Sequence, residues 1–268
     1  MKCSPLLIPL CLAASLVTTR GVAGTGPTEC RDYRGKGQIR VRLQPDMPLK
    51  AGETPNELGC RIEQVFVRPD RMLLNMDWFG LKQQMLAQGS IEQIYQPTMG
   101  MVIEKKYLNL NKVDDNPILA LQTSMVQCGK LLREAKSAHP VGKEKMLQYD
   151  CDIIEADSKE VMEKMGDLVS PGKNSALQNG KIKAWVVDGY GVPVKLEIFT
   201  TAGNLAASLT MEDVQFNTGV KAEELKLDLP AGTKKVSIEV DLAEKDWQQK
   251  MEQDLRKAVA GLSPRPRS

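Results

Sequence analysis

The chain has 268 residues, of which 42% are hydrophobic and 4% aromatic, and its 36 Lys and Arg against 34 Asp and Glu give a formal net charge of +2. This length and apolar content are enough to build one full hydrophobic core. Because no basic stripe interleaved with aromatic residues occurs in this near-neutral chain, nucleic acid is excluded as an expected partner.

Residues 1–24 have the pattern of a secretory leader. Lys2 precedes an apolar run at 5–17, and small residues at 21–24 form a cleavage zone. The apolar run is too short to span a bilayer, and no longer apolar run follows it. No lipid-attachment pattern precedes Cys30. We therefore expect an exported, soluble protein whose mature form has no formal net charge.

Four cysteines lie outside the leader, namely Cys30, Cys60, Cys128 and Cys151. An even number of cysteines in an exported chain favours disulfides, for which three connectivities exist. Nearness in sequence predicts Cys30–Cys60 and Cys128–Cys151. Metal or redox chemistry is the alternative, but the chain has no Cys-x-x-Cys motif and His139 is its only histidine.

The first predicted strand covers residues 36–43, where apolar and polar side chains alternate. Residues 44–59 follow and contain several proline and glycine residues. This composition predicts a long exposed loop that is a candidate mobile flap.

A meander of five short strands is predicted next. The connections between the strands are short and rich in turn residues, and such connections join only antiparallel neighbours. The five predicted strands are residues 61–67, 72–77, 81–86, 91–95 and 99–107.

One face of this meander is unusually rich in methionine. Period-two alternation predicts a sheet with one apolar face. Methionine is flexible and polarizable, and it is common on surfaces that accept varied apolar ligands. Ordinary core filling is the alternative interpretation of the same pattern. The residues that alternation places on this face are Met72, Leu74, Met76, Met85, Met99, Met101, Ile103 and Lys105.

Three helices are predicted in the remainder of the chain. Residues 118–135 form an amphipathic helix, and residues 158–169 form a short helix capped by Ser158. Residues 243–262 repeat apolar side chains at helical spacing, which predicts a helix docked on the domain or on a partner. The last six residues, 263–268, are predicted to be a disordered basic tail.

Five further strands are predicted between and after these helices. A strand at 145–156 has Cys151 near its centre. Glycine-containing turns separate several of the others, which indicates hairpins. The remaining strands are residues 181–188, 192–200, 204–216 and 234–241.

Catalytic motifs are largely absent from the sequence. A Ser-His-Asp triad would need His139, and no Gly-x-Ser-x-Gly motif accompanies it. No phosphate-binding or dinucleotide-binding glycine motif is present. The acidic pairs Asp114-Asp115 and Asp150/Asp152 are interpreted as solvated charge. We therefore expect no enzyme activity, no cofactor and no metal.

Five segments of the chain carry a recognisable series of motifs, namely residues 66–72, 89–97, 184–188, 191–197 and 227–232. An Arg-Pro break in the first is followed by a glycine-led strand that ends in Tyr-x-Pro. Together the segments resemble the LolA-like superfamily of periplasmic lipoprotein carriers, and the last three are similar to its closing strands. The order and spacing match over residues 36–235.

The resemblance implies an α+β fold in which a strongly curved antiparallel half-barrel sheet has helices covering its concave face. The implied organisation is a leader at 1–24, a half-barrel domain at 25–242, a C-terminal helix at 243–262 and the tail. It also implies a periplasmic location. Arg68, at the Arg-Pro break, matches the superfamily position associated with lid control; a solvated turn arginine is the alternative.

The implied function is non-covalent carriage or sensing of an acyl chain, either free lipid or the lipid of a lipoprotein. The alternative is an envelope regulatory protein with a filled core, which binds a partner protein through 243–262. In either case we expect a monomer that contacts membranes only peripherally. The residues expected to line the lipid site are Phe66, Met72, Leu74, Met76, Met85, Met99, Met101 and Ile103.

Overall fold

A computed structural model describes residues 30–47, 53–68, 70–110, 129, 132–165 and 179–260. In this part of the chain, twelve strands form a single sheet in the order β12-β6-β5-β4-β3-β2-β1-β11-β10-β9-β8-β7. The strands are β1 (Asp32–Arg42), β2 (Glu57–Val67), β3 (Arg71–Trp78), β4 (Leu81–Gln88), β5 (Ile91–Gln96), β6 (Met101–Leu108), β7 (His139–Met146), β8 (Tyr149–Asp157), β9 (Lys181–Val187), β10 (Pro193–Phe199), β11 (Leu205–Phe216) and β12 (Lys234–Asp241).

The predicted meander is confirmed, because β2 to β6 pair antiparallel in chain order. The last strand begins at Met101 rather than at residue 99. Pro97–Met99 instead forms a 3-10 turn, which ends at Gly100 with a left-handed φ of 59°. Proline at the start of a helical turn and glycine after its end are both favoured for conformational reasons.

Strand β1 joins the two halves of the sheet, since it pairs antiparallel with both β2 and β11. Its Gly35 leaves room for a buried tyrosine: a Cβ atom at Gly35 would lie 2.3 Å from the hydroxyl oxygen of Tyr33. That hydroxyl accepts a hydrogen bond of 2.8 Å from Nε2 of the buried Gln64. A larger residue at position 35 would therefore displace the aromatic core of the central strand.

The strand predicted at 145–156 is confirmed from Tyr149 onward, as β8, but its start is wrong, because residues 145 and 146 belong to β7 and the two strands form a hairpin. Strands β7 and β8 pair antiparallel through a turn at Leu147, whose φ is +56°. A positive φ is uncommon for a leucine, so composition gave no signal for the turn. His139, expected in a loop, lies in β7 at the exposed edge of the sheet.

Strand β12 pairs parallel with β6 at the opposite edge. The connection from β11 reaches it across the sheet. It is fixed by hydrogen bonds from Nη1 of Arg71 to the carbonyl of Ala222 (2.9 Å) and from the amide of Asp228 to Oε1 of Gln84 (2.9 Å). Alternation along β3 and β4 places Arg71 and Gln84 on the face away from Met72. The connection therefore crosses that face.

Two helices are described, α1 (Ser158–Met165) and α2 (Trp247–Ala260). Both match helices predicted from the sequence, but the predicted cap at Ser158 is wrong, since its buried Oγ has no hydrogen-bond partner in the structure. The predicted helix at 118–135 lies mostly outside the described residues, although residues 132–134 are helical. The leader and the tail also lie outside them. No helix in the described ranges is long and apolar enough to cross a membrane.

The loop predicted at 44–59 is shorter than expected, because β2 already begins at Glu57. One residue of its described part is bonded to the turn between β10 and β11. The carboxylate of Asp46 accepts hydrogen bonds from Oγ1 of Thr200 (2.6 Å) and from Nδ2 of Asn204 (3.3 Å). Because these bonds hold Asp46 in place, they argue against the mobile flap predicted for this segment.

Candidate functional site

The predicted lining residues of β2, β3, β4 and β6 share one face of the sheet, which we call the methionine face. The register shows this through direct cross-strand partners. Leu74 is opposite Met85, Met85 is opposite Ile94, and Ile94 is opposite Ile103. The row continues onto β12, where Val236 is opposite Ile103. The residues that define the face are Phe66, Met72, Leu74, Met76, Met85, Met101 and Ile103.

The methionine face is divided between two parts of the core. Five of the predicted lining residues belong to the main core, together with Leu132, Ala135 and Val161 from the segments that follow β6 and β8. Met101 and Ile103 instead pack with Val236 near the opposite edge of the sheet. The five in the main core are Phe66, Met72, Leu74, Met76 and Met85.

Met99 is the exception among the predicted lining residues. It precedes β6 in the 3-10 turn, and 44% of it is exposed. The alternation of side chains continues one step before the true start of β6, so the sequence pattern alone places Met99 in the strand. Met99 therefore does not share the buried environment of Met101.

Helix α2 covers the part of the methionine face formed by β4, β6 and β12. Leu255 and Ala258 pack against both small clusters at this edge, and Trp247 and Met251 pack against one of them. None of these four side chains is fully buried. The helix thus shields the strands, while its own apolar side chains stay partly exposed. The sheet residues that it covers are Ala87, Met101, Ile103, Tyr107, Val236, Ile238 and Val240.

A polar group interrupts the methionine face beside these residues. Glu92 and Lys105 are direct cross-strand partners, and Lys105 Nζ lies 2.9 Å from Glu92 Oε2. The two side chains are only 12% and 15% exposed, respectively. Tyr107 donates a 3.0 Å hydrogen bond from its hydroxyl to the same carboxylate oxygen. Burial beside this carboxylate raises the pKa of Tyr107, so its phenol remains a neutral donor.

The predicted Cys30–Cys60 disulfide is wrong because the two residues lie at opposite ends of the β1–β2 ladder. Cys60 is the partner of Ile39, while Cys30 precedes β1. At the rise of a strand, the distance between them is about 30 Å, whereas disulfide-bonded Cα atoms lie within about 7 Å. The Cys60 thiol donates instead to the carbonyl of Arg61 at 3.3 Å, and burial raises its pKa to about 12.

The second predicted disulfide, Cys128–Cys151, involves a residue outside the described ranges. Cys151 is a buried thiol that donates to the carbonyl of Tyr149 at 3.7 Å. Burial also raises its pKa. The Cys128–Cys151 pairing stays a prediction.

Other polar side chains of interest lie on and beside β7 and β8, at the edge of the sheet far from β6. Nε2 of the exposed His139 is 3.8 Å from Oε1 of Glu155, and Asp152 forms ion pairs with Arg133 (2.9 Å) and Lys143 (3.3 Å). Asp114 and Asp115 are outside the described ranges. Within those ranges, no group of three or more His, Cys, Asp or Glu residues is arranged to hold a metal ion.

A polar hollow of about 430 Å³ opens at the ends of β8, β9 and β10. Lys181 spans part of its rim, with Nζ 2.6 Å from Glu155 Oε1, and this contact holds the pKa of Glu155 below its ordinary value. The remaining lining combines exposed residues with the buried Gly180 and Thr200. The residues around the hollow are Glu155, Asp157, Asn179, Gly180, Lys181, Lys183, Phe199, Thr200, Thr201 and Gly203.

No family model matches the chain, and no curated protein matches it by sequence. Comparison with solved structures does give matches. The chain is similar to solved structures of LolA superfamily proteins. One of them, from Nitrosomonas europaea, has 13% identity, covers 83% of this chain and 97% of its own, and has a TM-score of 0.29.

Two further solved structures are similar to this chain. Mycobacterium tuberculosis lipoprotein LppX has 16% identity and a TM-score of 0.38, and the match covers 82% of this chain and 100% of that one. MucB of Pseudomonas aeruginosa, solved in complex with MucA, has 10% identity and a TM-score of 0.41. That match covers 73% of this chain and 55% of the other. At these identities the similarity concerns the fold alone.

The LolA-like resemblance singled out Arg68 as a lid-control residue. In the structure Arg68 follows β2 in an exposed turn, and its backbone amide donates a 2.9 Å hydrogen bond to the carbonyl of Arg31. This bond continues the pairing of β1 and β2 by one residue. A role of Arg68 in opening the site stays a prediction.

Two features of the site were missed by reasoning from the sequence. Lys105 was placed on the methionine face, but its partner Glu92 could not be identified without the register of β5 and β6. Helix α2 was predicted to dock, yet its docking position depends on the parallel pairing of β12 with β6. A charged residue at an apolar position of β6 was the only available signal.

Proposed function

We propose that this protein is a non-catalytic, exported carrier or sensor that binds an acyl chain on the methionine face of its sheet, in the manner of lipoprotein-sorting proteins. The observation that carries the proposal is the continuous row of apolar side chains across β3, β4, β5 and β6, in a face that is rich in methionine. Leu74, Met85, Ile94 and Ile103 are consecutive partners in this row. The proposal includes a half-barrel whose helices cover the concave side.

The binding energy for such a ligand is adequate in principle. Each buried methylene contributes about 0.8 kcal/mol, so a long acyl chain offers roughly 10 kcal/mol before losses. Ordering the ligand and separating the protein elements that cover the site reduce this considerably. Methionine adapts its shape to a chain of variable length at low cost, because three of its side-chain bonds rotate freely.

Helix α2 is the described element that has to move if an acyl chain is to reach Met101 and Ile103. Its contacts with the sheet come from side chains that remain partly exposed. Elements with few buried apolar contacts open at a lower free energy than the core does. We propose that α2 lifts from β6 and β12 while the central strands stay folded.

Native mass spectrometry of protein purified from its host tests the proposal directly. We expect an additional mass that organic extraction identifies as an acyl lipid. A clean apo mass, together with no saturable binding of a fluorescent acyl probe by the purified protein, contradicts it.

A pair of substitutions locates the binding face. Met101→Phe enlarges a side chain that is 5% exposed on the methionine face, while Leu73→Phe makes the same kind of change at a partly exposed position of the opposite face. We expect only Met101→Phe to weaken probe binding, by about tenfold. Thermal unfolding of both variants checks that each is folded. Equal effects of the two substitutions would place the ligand elsewhere.

The second candidate is a regulatory protein that binds another envelope protein. It is favoured by one observation, namely that part of the methionine face is already occupied by the apolar side of α2. In that case the acyl probe does not bind, and deletion of α2 removes a protein partner captured from the host. Saturable binding of the acyl probe by the full-length protein argues for the carrier.

A further inference from the structure

The ion pair of Glu92 and Lys105 occupies an unusual position for a charged pair. It lies in a cross-strand row in which Met72 is opposite Ala87, Ala87 is opposite Glu92, and Lys105 is opposite Ile238. Apolar residues therefore flank the pair on both sides. A well-packed hydrophobic pair of similar size often stabilises a protein as much as a buried ion pair or more. Stability alone therefore does not explain why Glu92 and Lys105 occupy these two positions.

Lys105 retains hydrogen-bonding capacity at this position. An ammonium group has three N–H donors, and Glu92 is the acceptor that the structure assigns to Lys105. Glu92 is held in place from a second direction, because Tyr107 donates to the same oxygen. Lys105 is therefore a fixed donor at the end of the apolar row formed by Met101 and Ile103 on β6.

The net charge of the pair limits the kind of head group that it accepts. The lysine and the carboxylate together are neutral. A ligand carboxylate would be attracted by Lys105 and repelled by Glu92, and it would lose its hydration without net compensation. A neutral carbonyl loses far less hydration and gains a charge-assisted hydrogen bond from Lys105.

We infer that Lys105 anchors the ester carbonyl of an acylglycerol whose hydrocarbon chain lies along Met101 and Ile103, and that Glu92 excludes free fatty acids from the same place. This inference rests on the proposed function and adds its ligand class. Glu92 and Tyr107 are positioning residues that hold the lysine and set the charge of the site.

Three matched probes test the head group: monolaurin, the lauryl glyceryl ether, which lacks the carbonyl, and lauric acid. Binding is measured by displacement of a fluorescent acyl probe at mildly alkaline pH, where the acid is ionised. We expect the unsubstituted protein to bind monolaurin about tenfold or more tightly than the ether, as one hydrogen bond to a charged donor implies. Lauric acid should bind more weakly than monolaurin.

Two substitutions on the methionine face separate the roles of the pair. Lys105→Met should bring the affinities for monolaurin and the ether together. Glu92→Gln leaves a positive site, so the ratio of lauric acid to monolaurin affinity should rise about tenfold or more. Lys235→Met is the matched control, since Lys235 pairs with Glu104 at 2.6 Å on the opposite face. It should change neither ratio.

The outcomes distinguish this inference from the proposed function. If all three probes bind but the ester and the ether bind equally, or if lauric acid binds best, the anchor is wrong and the carrier function stands. The same conclusion follows if Glu92→Gln leaves the acid-to-ester ratio unchanged in a folded protein. If none of the probes binds, the proposed function fails and the inference fails with it.

Discussion

Leu255→Ala should loosen α2 without unfolding the sheet. Leu255 packs against both apolar clusters at the β12 edge, one containing Tyr107 and the other Met101. Truncation of a fully buried leucine costs about 2–5 kcal/mol, and because Leu255 is only half-buried we expect about 1–2 kcal/mol. A loss of about 1.4 kcal/mol corresponds to a tenfold larger population of the undocked helix.

Hydrogen exchange of backbone amides measures this opening. In the Leu255→Ala variant, amides of α2 should exchange about tenfold faster, whereas those of β1, β2 and β3 should keep their protection. Arg256→Ala is the matched control, since the Arg256 and Glu252 side chains of this surface ion pair are 78% and 65% exposed. Exposed pairs of this kind contribute little to stability.

A different exchange pattern would refute the reasoning. If Leu255→Ala lowers protection equally in α2 and in the central strands, the helix and the sheet open as one cooperative unit. The helix would then be a fixed part of the core, and a ligand could not reach Met101 by displacing it. An effect of Arg256→Ala as large as that of Leu255→Ala would likewise show that packing against β12 is not what holds α2.

Two further predictions concern the sheet itself. Gly35→Ala should destabilise the protein by about 1–3 kcal/mol in chemical denaturation, because the new Cβ would overlap the hydroxyl of Tyr33. Gly59→Ala is the control and should have little effect, since a Cβ at Gly59 meets no atom within 4 Å. Equal effects of the two substitutions would show that crowding at position 35 is not the cause. The hydrogen bond from Lys235 lowers the pKa of Glu104. The ionised Glu104 side chain therefore stabilises the protein above the ordinary carboxyl pKa, and this stabilisation is lost as the pH falls through the lowered pKa. Glu104→Gln should therefore cost about 1 kcal/mol at neutral pH and almost nothing in strong acid, and a cost that does not change with pH would contradict this assignment.

The meander was predictable because its signals are local. Alternation with period two and short turn-rich connections identify β2 to β6, and the faces follow from the alternation alone. The hairpin of β7 and β8 was missed because this local signal is absent from its turn. Its turn uses Leu147 at positive φ, without the glycine or asparagine that marks such turns in sequence.

The features that depend on long-range pairing were not predictable. Nearness in sequence suggested the Cys30–Cys60 bond, whereas the register places these residues at opposite ends of two paired strands. The parallel pairing of β12 with β6 brings α2 over Met101 and Ile103, and no local pattern specifies that contact. The division of the predicted lining into two clusters is a consequence of this topology.

Photoaffinity labelling tests the central claim most directly. A photoactivatable acylglycerol is bound to the full-length protein, irradiated, and its attachment sites are mapped by peptide mass spectrometry. The account predicts saturable labelling on the methionine face, at Met72, Met85, Met101 or Ile103, that unlabelled monolaurin suppresses. Labelling confined to the opposite face, such as at Leu73 and Asn75, or labelling that monolaurin does not suppress, would contradict it.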